Sequence, residues 1–455
     1  MINIENKNIY FAGRGEKVEK DELITYLSQH NCTIIDNLNS ADLIIEGYLT
    51  PPNISDDIYM RSKDGVSLYT IEQIEKEFSS TIDVDSIIIS IKISKDQDRL
   101  IKLLNNPYLS DDTFIKLLKF YNWCEDGIYD SDENRDVATS ITLRFCSLTK
   151  TNHNIQHSPV GIYYTTLEAT NSKLLEVIYH MPHFSISDKN AKENQPLTLK
   201  ETVALNPNIS KPLQMQIYSN ANHQELRFLA SNKNLSPIMI KKLISLDNEV
   251  ITQALIQSSL LDIEQIKALF LDKQFQKDIL LHSDLEDDIF KYFCSSNLKT
   301  VEIIVLSQND TLKADQIDTL FSFDVENANI NLLKHPNCNI KQIEQFLKRD
   351  DKVYNIAIAH NTNLNNMIFE ALLNKADLDI DITLAYNLKT PKDIIKSLYE
   401  KNDYMINSAL STNEATPINI LMQLQLDNRL TTNVSNNETY RAFSRKSLGI
   451  INEFN

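Results

Sequence analysis

The sequence predicts a mainly α protein: an α-solenoid of two-helix repeats of about 26 residues, preceded by a small α/β domain. Three observations predict it. A polar turn residue followed by the same apolar spacing returns nine times between residues 203 and 428. The chain has seven glycines, and none lies between 162 and 448, so a long β-rich region there would lack its usual turns. Residues 1–79 follow a different pattern, in which short β-branched and aromatic runs alternate with amphipathic helical segments.

In residues 1–79, NIYFAG reads as a strand and EKDELITYLSQHN as a helix with Leu23, Ile24 and Leu27 on one face. CTIID and ADLIIEG read as two further strands, GVSLYT as a fourth, and IEQIEKEF as a closing helix. The order β-α-β-β-α-β-α predicts a small sheet with covered faces.

Residues FAGRGEKVEKDEL, with Gly13 at the first turn, SADLIIEG and GVSLYTIEQI resemble a BRCT domain of the type found in bacterial NAD-dependent DNA ligases. The resemblance implies binding to DNA ends, phosphopeptides or other proteins. Phosphate-binding members use a Ser or Thr at the end of the first strand, a backbone amide at the turn and a Lys at the second helix. Here Ala12 stands at the first of these positions, and Asp56 and Asp57 at the start of the presumed second helix would repel phosphate. Arg14, Lys17 and Lys20 remain near the start of the first helix, where amides and dipole favour an anion. They are the candidate phosphate or DNA contacts, set against a solvated face on a protein-docking domain.

Residues 80–202 read as degenerate starting repeats and a cap. Asn106 is an anchor with Leu103, Leu109, Phe114, Leu117 and Leu118 at the repeat offsets, and Thr166 is a poorer one with Tyr163, Leu174, Val177 and Ile178. Irregular insertions fall near 124–136, 150–160 and 182–197.

From 203 to 428 the anchors are Asn206, Asn232, Ser258, His282, Asn309, His335, Asn361, Asn387 and Asn413. The residues eight, eleven and twelve places on are almost all apolar, which is the i, i+3, i+4 face of a helix. Each unit therefore holds one helix after the anchor and a shorter one before the next. Asn suits the turn because its side chain bonds nearby backbone. Pro237, Pro391 and Pro417 fall where a helix begins, and Ser236, Asp262 and Asp315 are placed to cap it. A two-helix unit this small buries its apolar face only against its neighbours.

Boxes such as LNPNIS and HNTNLN, the Asp-rich turns LDNEV and RDDKV, and short helices ending in Ala (ALIQ, AIAH) resemble the leucine-rich-repeat variant family. The resemblance implies a right-handed superhelix of helices paired with shorter, often 3₁₀, helices. Some members carry a cysteine-ligated iron–sulfur cluster, for which this chain lacks clustered cysteines. In the tail, 429–455, TTNVSNNET reads as a linker or loop. YRAFSRKSLGIINEF reads either as a short helix closing the solenoid or as a docking peptide.

The net charge of −17 disfavours a general nucleic-acid coat or a binder of anionic membranes. Phosphate-cradling glycine loops are excluded from the glycine-free stretch. The five cysteines are scattered without a CxxC pair and read as reduced thiols of a cytoplasmic protein. The N-terminus does not read as a signal peptide, and no apolar run is long enough to span a membrane.

Asp130, Asp132, Asn134 and Asp136 alternate like a calcium loop, but Arg135 stands where such a loop needs Gly and Ile141 where it needs Glu, so a solvated acidic insertion is the expectation. His153, His157, His180 and His183 sit at spacings that pair imidazoles without completing a metal set. Trp123 reads as packing. No catalytic, metal or cofactor residues are assigned. The expectation is a non-enzymatic scaffold or adaptor that binds protein partners through the solenoid and the BRCT-like domain. The alternative is a DNA-end or nucleic-acid-associated repair or defence protein acting through Arg14, Lys17 and Lys20.

Overall fold

The computed structural model describes residues 4–18, 20–123, 128, 131–182, 184–186, 195–258 and 260–447. The chain is mainly helical, at 64% helix in 29 α-helices among the described residues, with one small parallel sheet at the N-terminus. It divides into two compact units, Met1–Ala254 and Leu255–Asn455.

In the first unit the sheet comprises β1 (Asn8–Ala12), β2 (Thr33–Ile35), β3 (Leu43–Glu46) and β4 (Ser67–Thr70), all parallel in the order β2-β1-β3-β4. Helices α1 (Lys20–Gln29), α2 (Pro52–Lys63) and α3 (Ile71–Thr81) complete the expected element order. Parallel strands are stable when both faces are covered, and the alternation within β1 supplies both. Ile9 and Phe11 pack with Leu23, Leu27 and Ile74 of α1 and α3, while Tyr10 and Ala12 pack with Ile58 of α2 on the other side. Asp56 and Asp57 lie in the second turn of α2, because the helix starts earlier, at Pro52, where proline's missing N–H costs nothing.

Helices follow in pairs. In the first unit, Gln97–Leu104 and Asp111–Leu118 flank Asn106 as anticipated. At the second degenerate repeat the structure departs from expectation. Thr166 is buried inside the helix Pro159–Glu168, its hydroxyl donating to the Ile162 carbonyl at 2.8 Å, and the turn comes at Ala169–Asn171. The region expected as an acidic insertion also differs: Asp132–Phe145 is a helix, with the Ser131 hydroxyl accepting the Asn134 N–H.

The second unit shows the repeat at its most regular. Helix Ile340–Lys348 ends at Asp350, which has a positive φ of 56°. Asp351 then caps Lys352–His360 by accepting the Val353 and Tyr354 N–H groups. Asn361 makes the turn, and Asn365 caps the next helix, Asn366–Leu373. Here the helix before the anchor is not the shorter one expected: Ile340–Lys348 and Lys352–His360 have nine residues each, and Leu378–Tyr386 has nine against eight in Asn366–Leu373. The left-handed residue that closes the helix after the anchor recurs as Asn297, Asp324, Asp350, Ala376 and Asn402 in this unit. Asn and Asp tolerate that conformation better than other residues with a Cβ, which is how the stretch manages without glycine.

The anchors have a more specific role than making a turn. Asn387 is buried; its Nδ2 donates to the carbonyls of Ala359 and Asn361, both at 2.8 Å, and its Oδ1 accepts the Lys389 N–H at 2.9 Å. Asn361 does the same to Leu333 and His335, and Asn413 to Ala385 and Asn387. In the first unit Asn232 makes the matching bonds to Ala204 and Asn206. Asn232, Asn361, Asn387 and Asn413 therefore each hydrogen-bond the carbonyl of the anchor one unit earlier.

This ladder revises two readings. Asn309 bonds Leu280 and Ser283, so Ser283 and not His282 is the rung of its unit; a turn one residue shorter puts the serine at the helix end. Asn437 is a further rung, donating to Ser411 and Asn413, and the supposed linker TTNVSNNET contains the helix Thr431–Asn436. A second helix, Glu438–Ser447, follows it.

The apolar offsets fill the cores, with Leu243, Phe346 and Leu372 all buried. Helix Ile263–Phe270 is rotated relative to the pattern: Leu269 is half-buried, and Phe270 turns in to meet Phe293 with ring centres 5.2 Å apart. No helix among the described residues is long and apolar enough to cross a membrane.

Candidate functional site

Arg14, Lys17 and Lys20 lie on and just after the turn between β1 and α1. Gly13 begins that turn with a φ of +72°, and a Cβ there would lie 2.7 Å from both Thr50 Oγ1 and the Tyr48 carbonyl, so only glycine fits. The turn is tied to Tyr48 by paired backbone bonds, Arg14 N–H to the Tyr48 carbonyl at 3.0 Å and the reverse at 2.7 Å. The three cations line a cleft of about 430 Å³ together with Tyr48, Asn105 and a fourth cation, Lys102.

Their side chains have internal neighbours. The Arg14 guanidinium lies 5.9 Å from the centre of the Tyr48 ring, and Lys20 Nζ 4.9 Å from that of Phe11. Lys17 pairs with Glu16 at 3.1 Å. Over this cleft and the adjoining one, Arg14, Lys17, Lys20, Arg99 and Lys102 are matched by Glu16, Asp21, Glu22, Asp96 and Asp98.

The backbone amides of the turn are already engaged. Oε1 of Glu75, a fully buried residue of α3, accepts the N–H groups of Glu16, Lys17 and Val18 at 2.7, 2.7 and 3.0 Å. Successive amides converging on one oxygen form an anion nest, and the protein's own carboxylate fills it. A side chain at Gly15 would collide with the Val18 carbonyl, so this turn too depends on glycine.

From Glu75 the contacts continue into the first repeat. The Ser79 hydroxyl donates to the Glu75 carbonyl at 2.6 Å, and Asn106 Nδ2 donates to Ser79 Oγ at 2.8 Å. Asn106 Oδ1 accepts the Tyr108 N–H at 2.9 Å, as Asn206, Asn232, Asn309, Asn361, Asn387 and Asn413 each accept the N–H two residues on. The last helix of the α/β module thus stands where a preceding repeat would.

The remaining candidates do not assemble. Among the described residues, no three His, Cys, Asp or Glu side chains are placed to hold a metal ion. His153 and His157 fall in a 3₁₀ turn, and His180 Nε2 lies 3.1 Å from Gln216 Nε2. His183 and Asp130 lie outside the described residues. Asp132, Asn134 and Asp136 are on a helix, with Asn134 accepting the Tyr121 hydroxyl at 2.8 Å. Trp123 packs edge-to-face on Tyr121 at 4.8 Å, beside a cleft of about 300 Å³ rimmed by the Lys119–Glu176 ion pair.

Buried titratable groups sit in the second unit's ladder. His335 replaces Asn as a rung: its Nδ1 accepts the Asn337 N–H at 3.1 Å, while Nε2 has no hydrogen-bond partner among the described residues. Burial holds its imidazole below the ordinary range, offset in part by the Asp310 and Asn309 carbonyls. His360 is likewise held low, by burial and then by Lys334. Burial pushes the Cys338 thiol up to about 12.

No family model, curated protein or solved structure matches the chain.

Proposed function

We propose that the protein is a non-enzymatic scaffold or adaptor, a right-handed α-solenoid of the leucine-rich-repeat variant kind led by a BRCT-like module, acting in the cytoplasm on protein partners. The observation that carries this reading is the ladder: each anchor asparagine bonds the unit before it, which links units in chain order. Such quasi-one-dimensional arrays offer extended surfaces to other macromolecules. The test uses tagged full-length protein as bait in a nuclease-treated extract of its source cells. A defined protein partner retained at physiological salt is the expected result; no protein above the tag control would overturn the reading.

A second reading, contact with a DNA end, draws support from Lys102, which joins Arg14, Lys17 and Lys20 at one cleft. It predicts a salt-sensitive shift with 5′-phosphorylated duplex that Arg14→Glu and Lys102→Glu abolish. No binding at low salt would remove it. The engagement of the turn amides by Glu75 favours the scaffold reading over this one.

A further inference from the structure

Four helices that precede anchors in the second unit carry an isoleucine at one outward position. Ile304, Ile330, Ile356 and Ile382 recur at intervals of 26 residues, each five places before its anchor and each half-buried. On a helix, the residues three and four places before these lie on the same face. There stand Val301, Val353 and Leu378, with Tyr404 and Met405 on the next helix, where Ser408 takes the isoleucine's place. All five are exposed, Val301 at 70% and Met405 at 53%, while the helix of Ile330 carries Glu326 and Asn327 there. Adjacent helices hold these positions in register, since Lys352 at the start of one reaches both Asp377 (3.0 Å) and Asp379 at the start of the next. In the first unit Arg227 and Gln253 stand at the isoleucine positions, while Val250, exposed at 53%, matches Val301 and Val353. The helices that follow the anchors in the second unit turn Lys341, Lys392 and Lys396 to solvent. The exposed apolar positions run without a break over three neighbouring helices, from Val353 through Leu378 to Tyr404 and Met405, and such a patch marks an interaction surface.

Geometry and charge select the occupant. Packed helices lie roughly 8–10 Å apart, so the patch presents one apolar site about every 10 Å. A helix laid along it returns a side chain to one face every seven residues, which is about 10.5 Å. The edge at the starts of these helices carries Glu326, Asp351, Asp377, Asp379 and Asp403 against two cations, Lys299 and Lys352. Of these, Glu326, Asp351 and Asp403 have no cationic partner among the described residues, while the nearby Lys375 and Lys401 are engaged by Asp350 and Asp381. The geometry points to a docking face for a partner α-helix with a heptad apolar stripe and a basic flank facing this edge. This rests on the scaffold reading and supplies its face and the chemistry of its partner.

The probe is a fluorescent helical peptide of about 21 residues, three heptads, with Leu at a and d and Lys elsewhere, titrated into full-length protein. A second peptide with Glu in place of Lys serves as control. The Leu/Lys peptide is expected to bind and the Leu/Glu peptide to bind about tenfold or more weaker. Val353→Asp with Met405→Asp, both exposed and outside the core, is expected to cost the Leu/Lys peptide a similar factor. Ile238→Asp, exposed at 66% in the first unit, should leave binding unchanged. Equal affinity for the two peptides, or binding indifferent to the paired substitution, overturns the inference. So does a dimer of the free protein that the paired substitution dissociates, since the occupant is then a second copy. The peptide titration reads the docking face, whereas the extract capture reads the scaffold function. Capture that persists in the paired variant sinks the docking face alone, and peptide binding without any captured partner sinks the scaffold alone.

Discussion

Asn387 and Asn361 are joined by one hydrogen bond that defines the repeat: the side-chain amide of the later residue donates to the main-chain carbonyl of the earlier one at 2.8 Å. The same two atoms meet again between Asn413 and Asn387 at 3.1 Å. A buried amide that satisfies two carbonyls and one N–H has no substitute among the other side chains of its size.

Asn387→Asp tests this most sharply. The shape is kept, but both donors are lost and a carboxylate faces two carbonyls. Leaving buried acceptors unpaired costs about 1–3 kcal/mol, and charge repulsion adds to it. Chemical denaturation should show the second unit destabilised by at least that amount, with Asn387→Ala intermediate. An unchanged midpoint would show that the ladder contributes nothing.

His335 makes that unit sensitive to acid. Its folded value lies below the ordinary value of 6.5, so the unfolded chain takes up the proton more readily and stability falls as pH drops below about 6.5. His360 acts in the same direction. His335→Asn restores a normal rung and should flatten the dependence of thermal stability between pH 7 and pH 5, leaving the share due to His360. A variant with the wild-type slope would refute the assignment.

Ala376 holds a φ of 51° at a helix end where its counterparts are Asp324, Asp350 and Asn402. Alanine has neither glycine's freedom nor the local hydrogen bonding of Asn there. Ala376→Gly is expected to stabilise by about 1 kcal/mol, and Ala376→Asn by less. Both are read from denaturation midpoints, and a loss of stability in both would contradict the geometry.

Glu75→Ala should release the turn at Gly15–Val18. Three amides lose their acceptor, at about 1–3 kcal/mol for each donor left buried, less what water recovers. Amide exchange at Glu16, Lys17 and Val18 should accelerate in Glu75→Ala and less in Glu75→Gln, which keeps one acceptor oxygen. Protection that survives in Glu75→Ala would mean that another group holds the turn.

Burial keeps the Cys338 thiol protonated in the folded chain. Alkylation at pH 8 should spare it until denaturant is added, and mass mapping would reveal early modification.

The array was legible because its determinants are local and repeated. An Asn at one position and apolar residues at fixed offsets can be read from the chain alone, since each unit solves the same packing problem. Where a unit solves it differently, the reading slipped by a few residues. Ser283 and Ala169 serve as rungs through their carbonyls, which any residue possesses, so no side chain announces them. Asn437 was hidden by its polar surroundings in a stretch with little apolar periodicity. At the N-terminal cleft, Arg14, Lys17 and Lys20 were visible from their place after a strand and a glycine turn. Lys102 and Glu75 were not, because they come from helices whose faces are set only by tertiary packing.

The bond between Asn106 and Ser79 has a practical consequence for anyone dividing the chain. A fragment that starts at residue 80 looks natural by sequence, yet it would begin with a first rung that has nothing to hold and with an uncovered end where α3 belongs. Expression of such a piece should yield aggregation or fraying at its leading edge, whereas one that retains the small sheet keeps the lid with which the stack was built.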